Sequence, residues 1–232
     1  HMNHIIFRQL FDEKTWTYTY ILGDVQTRQA AIIDPVRDQV ERDLRLLSEL
    51  GLTLTHILDT HIHADHITGS WILREKTGAK IALGEWAKIA NPDILLADNE
   101  ILKIGNLEIQ ALSTPGHTDG CTSFLVGDML FSGDVLFIRK TWRTDFQQGS
   151  PEKMYHSIMN KMYTLPDATK IYPWHDYAGH MMSTIWEEKK YNTRIQSDTS
   201  LEEFTETMNA LHLAPPKYLD IALPANLRLG LE

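Results

Sequence analysis

Short apolar runs rich in β-branched and aromatic residues open the chain, and Ile5–Leu10, Thr17–Leu22 and Ala30–Ile33 read as strands. Asp34-Pro35 breaks the third run, and the spacing then changes. From about Val36 to Leu50 the apolar residues Val40, Leu44, Leu47 and Leu50 fall on one stripe, which predicts a helix with Gly51 as its stop. Leu54–Leu58 predicts another strand, and a second helix is expected from near His66 to Gly78. Strands follow at Lys80–Leu83, Ile101–Ile104, Leu107–Leu112, Ser123–Val126 and Met129–Phe131, the last two joined by a Gly127-Asp128 turn. Pro151–Leu165 reads as helix and Lys170–Tyr172 as strand; beyond them the chain is more helical and polar, with a Pro-rich stretch at Ala214-Pro215-Pro216. There is no low-complexity tract and no repeat of fixed period. The order of elements allows two similar halves, each of strands followed by helix, packed sheet against sheet with helices outside. One domain over residues 1–232 is expected, with 176–232 as a helical or irregular extension and His1-Met2 as a cloning remnant.

Four polar clusters interrupt this pattern, each just after a short apolar run. The first is Thr60-His61-Ile62-His63-Ala64-Asp65-His66; His117, Asp134 and His175 follow Pro115-Gly116, Gly133 and Pro173-Trp174. Packing three histidines and an aspartate into one turn beside an apolar strand is costly without a compensating ion. His61 and His63 share a parity, so in an extended segment both side chains point the same way. Pro115 fixes the approach to His117, and Gly116 lets the backbone pass close to a site. Imidazole and carboxylate together suit zinc, iron or manganese rather than magnesium or calcium. His4, His56, His156, His180 and His212 are read as ordinary surface or core residues.

Composition narrows the class of protein. Hydrophobic residues make up 43% and charged residues 23% of the 232, as in a globular protein with a real core. The 31 acidic against 22 basic residues give a formal charge of −9, which disfavours a nucleic-acid partner. Apolar runs are strand-sized, so no membrane span is expected. The single cysteine, Cys121, forbids an internal disulfide and fits a reducing compartment. No signal or transit segment opens the chain. A cytoplasmic location is expected, or a mitochondrial one if a transit peptide was removed in cloning.

The string Thr-His-x-His-x-Asp-His with later His, Asp and His resembles the metallo-β-lactamase superfamily, which implies an α/β fold, the αββα sandwich, with a metal site at one sheet edge. Thr60–Ser70, Thr114–Cys121, Arg143–Gly149, His175-Asp176-Tyr177 and Leu223-Pro224-Ala225-Asn226 are further similar to the persulfide dioxygenases. That resemblance implies one Fe(II) per chain held by His61, His117 and Asp134, a facial triad with open positions for substrate and oxygen. His63, Asp65, His66 and His175 would orient those ligands by hydrogen bonds. Arg143 and Tyr177 would contact the substrate, glutathione persulfide, which O₂ oxidises to sulfite and glutathione. A homodimer is expected.

All seven residues of the superfamily's two-metal pattern are present, so ligand count does not separate one iron from two zincs; the flanking Arg143-Thr144-Asp145-Phe146-Gln147-Gln148-Gly149 favours iron. Trp142, Trp174 and Leu229 depart from the family's usual glycine, small residue and cysteine, and the two added indoles bear on substrate choice. The rival reading is a thioester hydrolase like glyoxalase II, although the 57 residues after His175 are short for that family's helical domain. A non-enzymatic metal-binding or sulfur-carrier protein is the third.

Overall fold

The computed structural model describes residues 4–60, 68–87, 92–145 and 149–211. In chain order the elements are β1 (Ile5–Asp12), β2 (Thr17–Asp24), β3 (Gln29–Ile33), α1 (Val40–Glu49), β4 (Thr53–Leu58), α2 (Ser70–Thr77), β5 (Lys80–Gly84), β6 (Ile94–Leu96), β7 (Ile101–Ile104), β8 (Leu107–Ser113), β9 (Thr122–Val126), β10 (Met129–Gly133), α3 (Pro151–Ser157), β11 (Lys170–Pro173), β12 (Ser183–Thr184), α4 (Ile185–Tyr191) and α5 (Leu201–Asn209). Two six-stranded sheets result, ordered β1-β2-β3-β4-β5-β6 and β12-β11-β10-β9-β8-β7.

Strand parity divides the apolar residues among three cores. Tyr18, Tyr20, Leu22, Ala31, Ile33 and Leu58 of the first sheet meet Ile109, Ala111, Phe124, Val126, Met129 and Phe131 of the second in one cluster between the sheets. Residues of opposite parity, Ile21, Ala30, Ile32, Ile57 and Ile81, pack outward with Val40, Leu47 and Leu73 of α1 and α2. On the other side Leu112, Leu130 and Ile171 pack with Met154, Ile185, Phe204 and Met208 from α3, α4 and α5. The order of layers is therefore helix, sheet, sheet, helix, as the sequence implied. Every residue of β2 is buried, because this strand is covered on both faces.

Several boundaries differ from expectation for identifiable reasons. The first helical stretch opens with a 3₁₀ turn at Arg37–Gln39 before α1 begins. The second helix starts only at Ser70, preceded by an isolated bridge between Val36 and Thr68. Gly69 runs so close to that bridge that a Cβ there would meet Val40 Cγ2 at 2.8 Å and the Val36 carbonyl oxygen at 3.2 Å. The helix expected over Pro151–Leu165 is α3 followed by a π-turn at Ile158–Met162, which keeps Ile158 and Met162 buried. The short strands β6 and β12 escape a periodicity search because neither is long enough to alternate. No described helix is long and apolar enough to cross a membrane.

Candidate metal centre

Site residues gather where β4, β8, β10 and β11 end. The Thr60 backbone, at the exit of β4, is held between the two sheets. Its amide donates to Asp34 Oδ1 at 2.7 Å, its hydroxyl to Asp34 Oδ2 at 2.8 Å, and its carbonyl accepts the Thr122 amide of β9 at 2.6 Å. Asp34 is buried and adopts φ +56°, an uncommon conformation for a residue with a Cβ. The turn is secured by its amide, which donates to Leu58 at 2.8 Å, and by its carbonyl, which accepts the Thr19 hydroxyl at 2.8 Å. Thr60 also touches the second sheet. A Cβ on Gly133 would lie 2.8 Å from Thr60 Cβ, and Gly133 turns with φ +56°, so only glycine lets Asp134 follow β10 at this spot. His61, His63, Asp65 and His66, predicted from the sequence, lie outside the described residues.

His117 leaves the end of β8 through Gly116, whose Cβ would meet Met154 Cβ of α3 at 2.4 Å. The imidazole is buried, and its Nδ1 lies 2.8 Å from the Arg143 carbonyl oxygen. A carbonyl only accepts, so Nδ1 carries a proton, and in the neutral ring the lone pair then lies on Nε2. Nε2 stands 3.8 Å from Asp134 Oδ2, beyond hydrogen-bonding distance. Two metal–ligand bonds of about 2.0–2.2 Å each can span such a gap. Asp134 Oδ1 is engaged by His175 Nδ1 at 2.8 Å, which leaves Oδ2 facing His117. His117, Asp134 and His175 are each no more than 2% exposed. Among the described residues no three His, Cys, Asp or Glu side chains form a ligand set; His117 and Asp134 face each other as a pair across 3.8 Å.

An aromatic box surrounds His175. Trp142 lies nearly parallel to its ring with centroids 5.1 Å apart, Tyr177 likewise at 5.5 Å, and Trp174 meets it edge-on at 4.1 Å. Trp142 and Tyr177 are 5.8 Å apart, so the three near-parallel rings form a triangle rather than a column. Trp142 also stands edge-on to His117 at 6.4 Å. Both tryptophans flagged in the sequence thus contact imidazoles of the site. Trp174 is itself buried, whereas Tyr177 is half-exposed at the rim and lies 6.3 Å from the Trp16 ring, tilted by 41°.

The Arg143 side chain is buried and forks onto Asp145, Nε to Oδ1 at 2.9 Å and Nη2 to Oδ2 at 3.3 Å. The guanidinium holds the Asp145 carboxyl below its usual range, against a smaller opposing effect of burial. Cys121 is packed in the core between the second sheet and its helices. Burial pushes its thiol up to about 12, and Thr118 donates to the sulfur from its amide at 3.3 Å, so no nucleophile is made there. His56 and His180 have ordinary local partners, the Thr55 hydroxyl at 2.8 Å and Asp176 at 3.3 Å. Sequence reading missed Asp34, treated there only as a strand break, and Asp59, and it noted Thr68 and Ser70 only as part of the Thr60–Ser70 string. The signal available was an aspartate closing an apolar strand beside a proline, which says little about distant partners.

The family model of the metallo-beta-lactamase superfamily matches residues 17–85 and 84–175. The mitochondrial persulfide dioxygenase ETHE1 of Bos taurus is 43% identical over 230 residues, 98% of this chain and 90% of its own length. The Homo sapiens protein of the same name is 42% identical with the same coverage. The crystal structure of ETHE1 from Myxococcus xanthus superposes with a TM-score of 0.95 at 47% identity, covering 97% of this chain and 100% of that one.

Proposed function

The chain belongs to the metallo-β-lactamase superfamily, among its persulfide dioxygenases, and from that membership we propose that it oxidises glutathione persulfide with O₂, using one Fe(II) per chain. The reaction balances as one persulfide, one O₂ and one water giving one glutathione and one sulfurous acid, with four electrons passing from the terminal sulfur to oxygen. The observation that carries this reading is similarity of 42–47% to persulfide dioxygenases over 97–98% of the chain. The donor chemistry fits the metal: an imidazole with its Nδ1 turned to a carbonyl and a carboxylate oxygen, both buried, 3.8 Å apart and not hydrogen-bonded to each other.

His61, His117 and Asp134 would hold the iron, which when bound supplies a Lewis-acidic, redox-active point where sulfur and oxygen meet. The protein's residues do the rest. The Arg143 carbonyl fixes the His117 tautomer, and His175 turns the Asp134 carboxylate so that Oδ2 faces inward. His63, Asp65 and His66 are assigned to the same supporting role. Trp142, Trp174 and Tyr177 crowd His175 and exclude water from its ring. Tyr177 offers its half-exposed ring to the substrate's carrier, and Arg143 its charge to a substrate carboxylate, in competition with Asp145. We assign residues 1–232 to one domain that works in the cytoplasm as a homodimer.

Oxygen uptake by the anaerobically purified chain on adding glutathione persulfide, set against hydrolysis of S-lactoylglutathione, tests the reading. Uptake with about one iron per chain is expected. A protein with two zincs that only hydrolyses the thioester would overturn it.

A further inference from the structure

Asp59 sits between the last residue of β4 and Thr60, and it is only 4% exposed. Its partners lie across the His61–Ile67 segment, at the start of α2. Oδ2 accepts the Ser70 hydroxyl at 2.6 Å, while the Thr68 hydroxyl has its one proton to share among Oδ1 at 3.3 Å, the Pro35 carbonyl at 3.2 Å and Ser70 Oγ. The two hydroxyls are 2.8 Å apart, and Thr68 Oγ1 accepts the Ser70 amide at 3.2 Å. Both are buried. The Gly69 amide donates to the Pro35 carbonyl at 2.8 Å, which ties this side of the segment to the turn that carries Asp34.

A buried carboxylate is a costly way to fill space, and an apolar side chain serves a fold's stability as well or better. What a carboxylate does that an apolar residue cannot is bind donors from a distant place in the chain. Asp59 gathers them from the far flank of the segment that bears His61, His63, Asp65 and His66. With Asp34 holding Thr60 on the near side, both ends of the segment are fixed before any metal arrives. Ligands on a segment whose ends are already fixed lose less conformational freedom on binding.

We propose that Asp59 is a positioning residue of the metal centre, which raises metal affinity by binding the Ser70 hydroxyl, with Thr68 beside it, and so holding the two flanks of the His61–Ile67 segment together. The inference rests on the metal-centre part of the function proposed above and is independent of the substrate.

Titration of the metal-stripped full chain with Zn(II) against a chromophoric chelator tests it. Ser70→Ala and Asp59→Ala should each weaken Zn(II) binding about 10- to 100-fold, the usual range for groups that orient metal ligands. The double variant should lose little more than the weaker single, because both changes break one network. Asp59→Asn keeps an oxygen for the Ser70 hydroxyl and should restore most of the affinity. A purely structural role would instead lower the melting temperature of the metal-free chain and leave Zn(II) affinity in the folded protein unchanged. If Asp59→Ala fails to fold, Ser70→Ala and Asp59→Asn decide. Unchanged affinity in Ser70→Ala, or losses that multiply in the double variant, would overturn the inference while leaving the metal centre standing. An unaltered chain that takes up no Zn(II) would overturn both.

Discussion

Around Thr60, at the end of the first sheet, carboxylates tie separate stretches of chain: Asp34 takes the Thr60 amide and hydroxyl, and Asp59 takes the Ser70 hydroxyl from beyond the neighbouring segment. At the end of the second sheet the relation is reversed, and backbone holds side chains. A carbonyl fixes His117, a glycine turn aims Asp134, and strand β11 delivers His175 into a box of rings. In the second sheet each functional side chain stands within a few residues of the strand that presents it, and local geometry suffices. The first sheet's predicted cluster follows β4 in sequence, and the described residues on its two sides are tied by Asp34 and Asp59. The comparison yields different sensitivities to mutation in the two halves.

Asp134→Ala should have the largest effect. It removes a carboxylate that faces His117 across 3.8 Å, so metal affinity should fall by more than about 100-fold, beyond the range typical of supporting residues. Persulfide-dependent O₂ uptake should vanish with it. The His175 Nδ1 donor is left buried without this acceptor, which costs about 1–3 kcal/mol of folding stability in the metal-free chain. Full metal content in the variant would remove Asp134 from the centre.

Arg143→Gln separates backbone from side chain at one residue. The carbonyl that fixes His117 remains, so metal content should stay near that of the unaltered chain. The charge is lost, and a charge-assisted hydrogen bond is worth about 1.5–3 kcal/mol, so kcat/KM for glutathione persulfide should fall about 10- to 150-fold. Steady-state kinetics beside metal analysis reads both. Unchanged kinetics would leave Arg143 only its carbonyl and its pairing with Asp145.

His175→Ala should do the opposite, weakening metal binding about 10- to 100-fold by freeing the Asp134 carboxylate to rotate. His175→Gln, which can still donate to Asp134, should recover part of that loss. If both variants bind metal as tightly as the unaltered chain, the Gly133 turn alone orients Asp134.

The second half was the more legible in the sequence for the same reason that it is held locally. His117, Asp134 and His175 each follow a strand-sized apolar run, and the described structure places all three at strand ends within one buried cluster. Strand positions were readable because β2, β3 and β10 alternate between two cores, one for each parity. Asp34 and Asp59 were not readable as site residues. Their partners lie 26 and 9–11 residues away, and a carboxylate's spacing from a hydroxyl has no period to detect. Ser70 was taken for the interior of a helix because nothing in the apolar pattern shows Gly69 pressed against Val40. Arg143 was read by its charge, although the contact it makes with His117 comes from its carbonyl, which every residue type shares.

Asp43 gives the smallest and most selective test, because it is a buried carboxylate of the first half without the donors that Asp34 and Asp59 enjoy. It lies on α1 with no exposed surface; Oδ1 meets Arg42 at 3.0 Å, and Oδ2 has no hydrogen-bond partner among the described residues. Burial pushes its carboxyl up from 3.8 to about 6, and Arg42 only partly opposes the shift. Between those values the folded protein holds a proton that the unfolded chain has released. The group's contribution to stability is therefore complete below pH 3.8 and is lost as pH rises through about 6. Above that point the folded protein carries a poorly solvated charge. Asp43→Asn abolishes this titration, so its stability relative to the unaltered chain should rise across the same window, from little difference near pH 3.8 to a gain of about 1–3 kcal/mol above pH 6. At about 2–4 °C per kcal/mol for a chain of this size, thermal melts at several pH values resolve the trend. Zn(II) affinity should not change, since α1 makes no part of the centre. A gain that is the same at every pH, or a loss at neutral pH, would show that Arg42 and the packing around α1 already satisfy this carboxylate as fully as the hydroxyls satisfy Asp34 and Asp59.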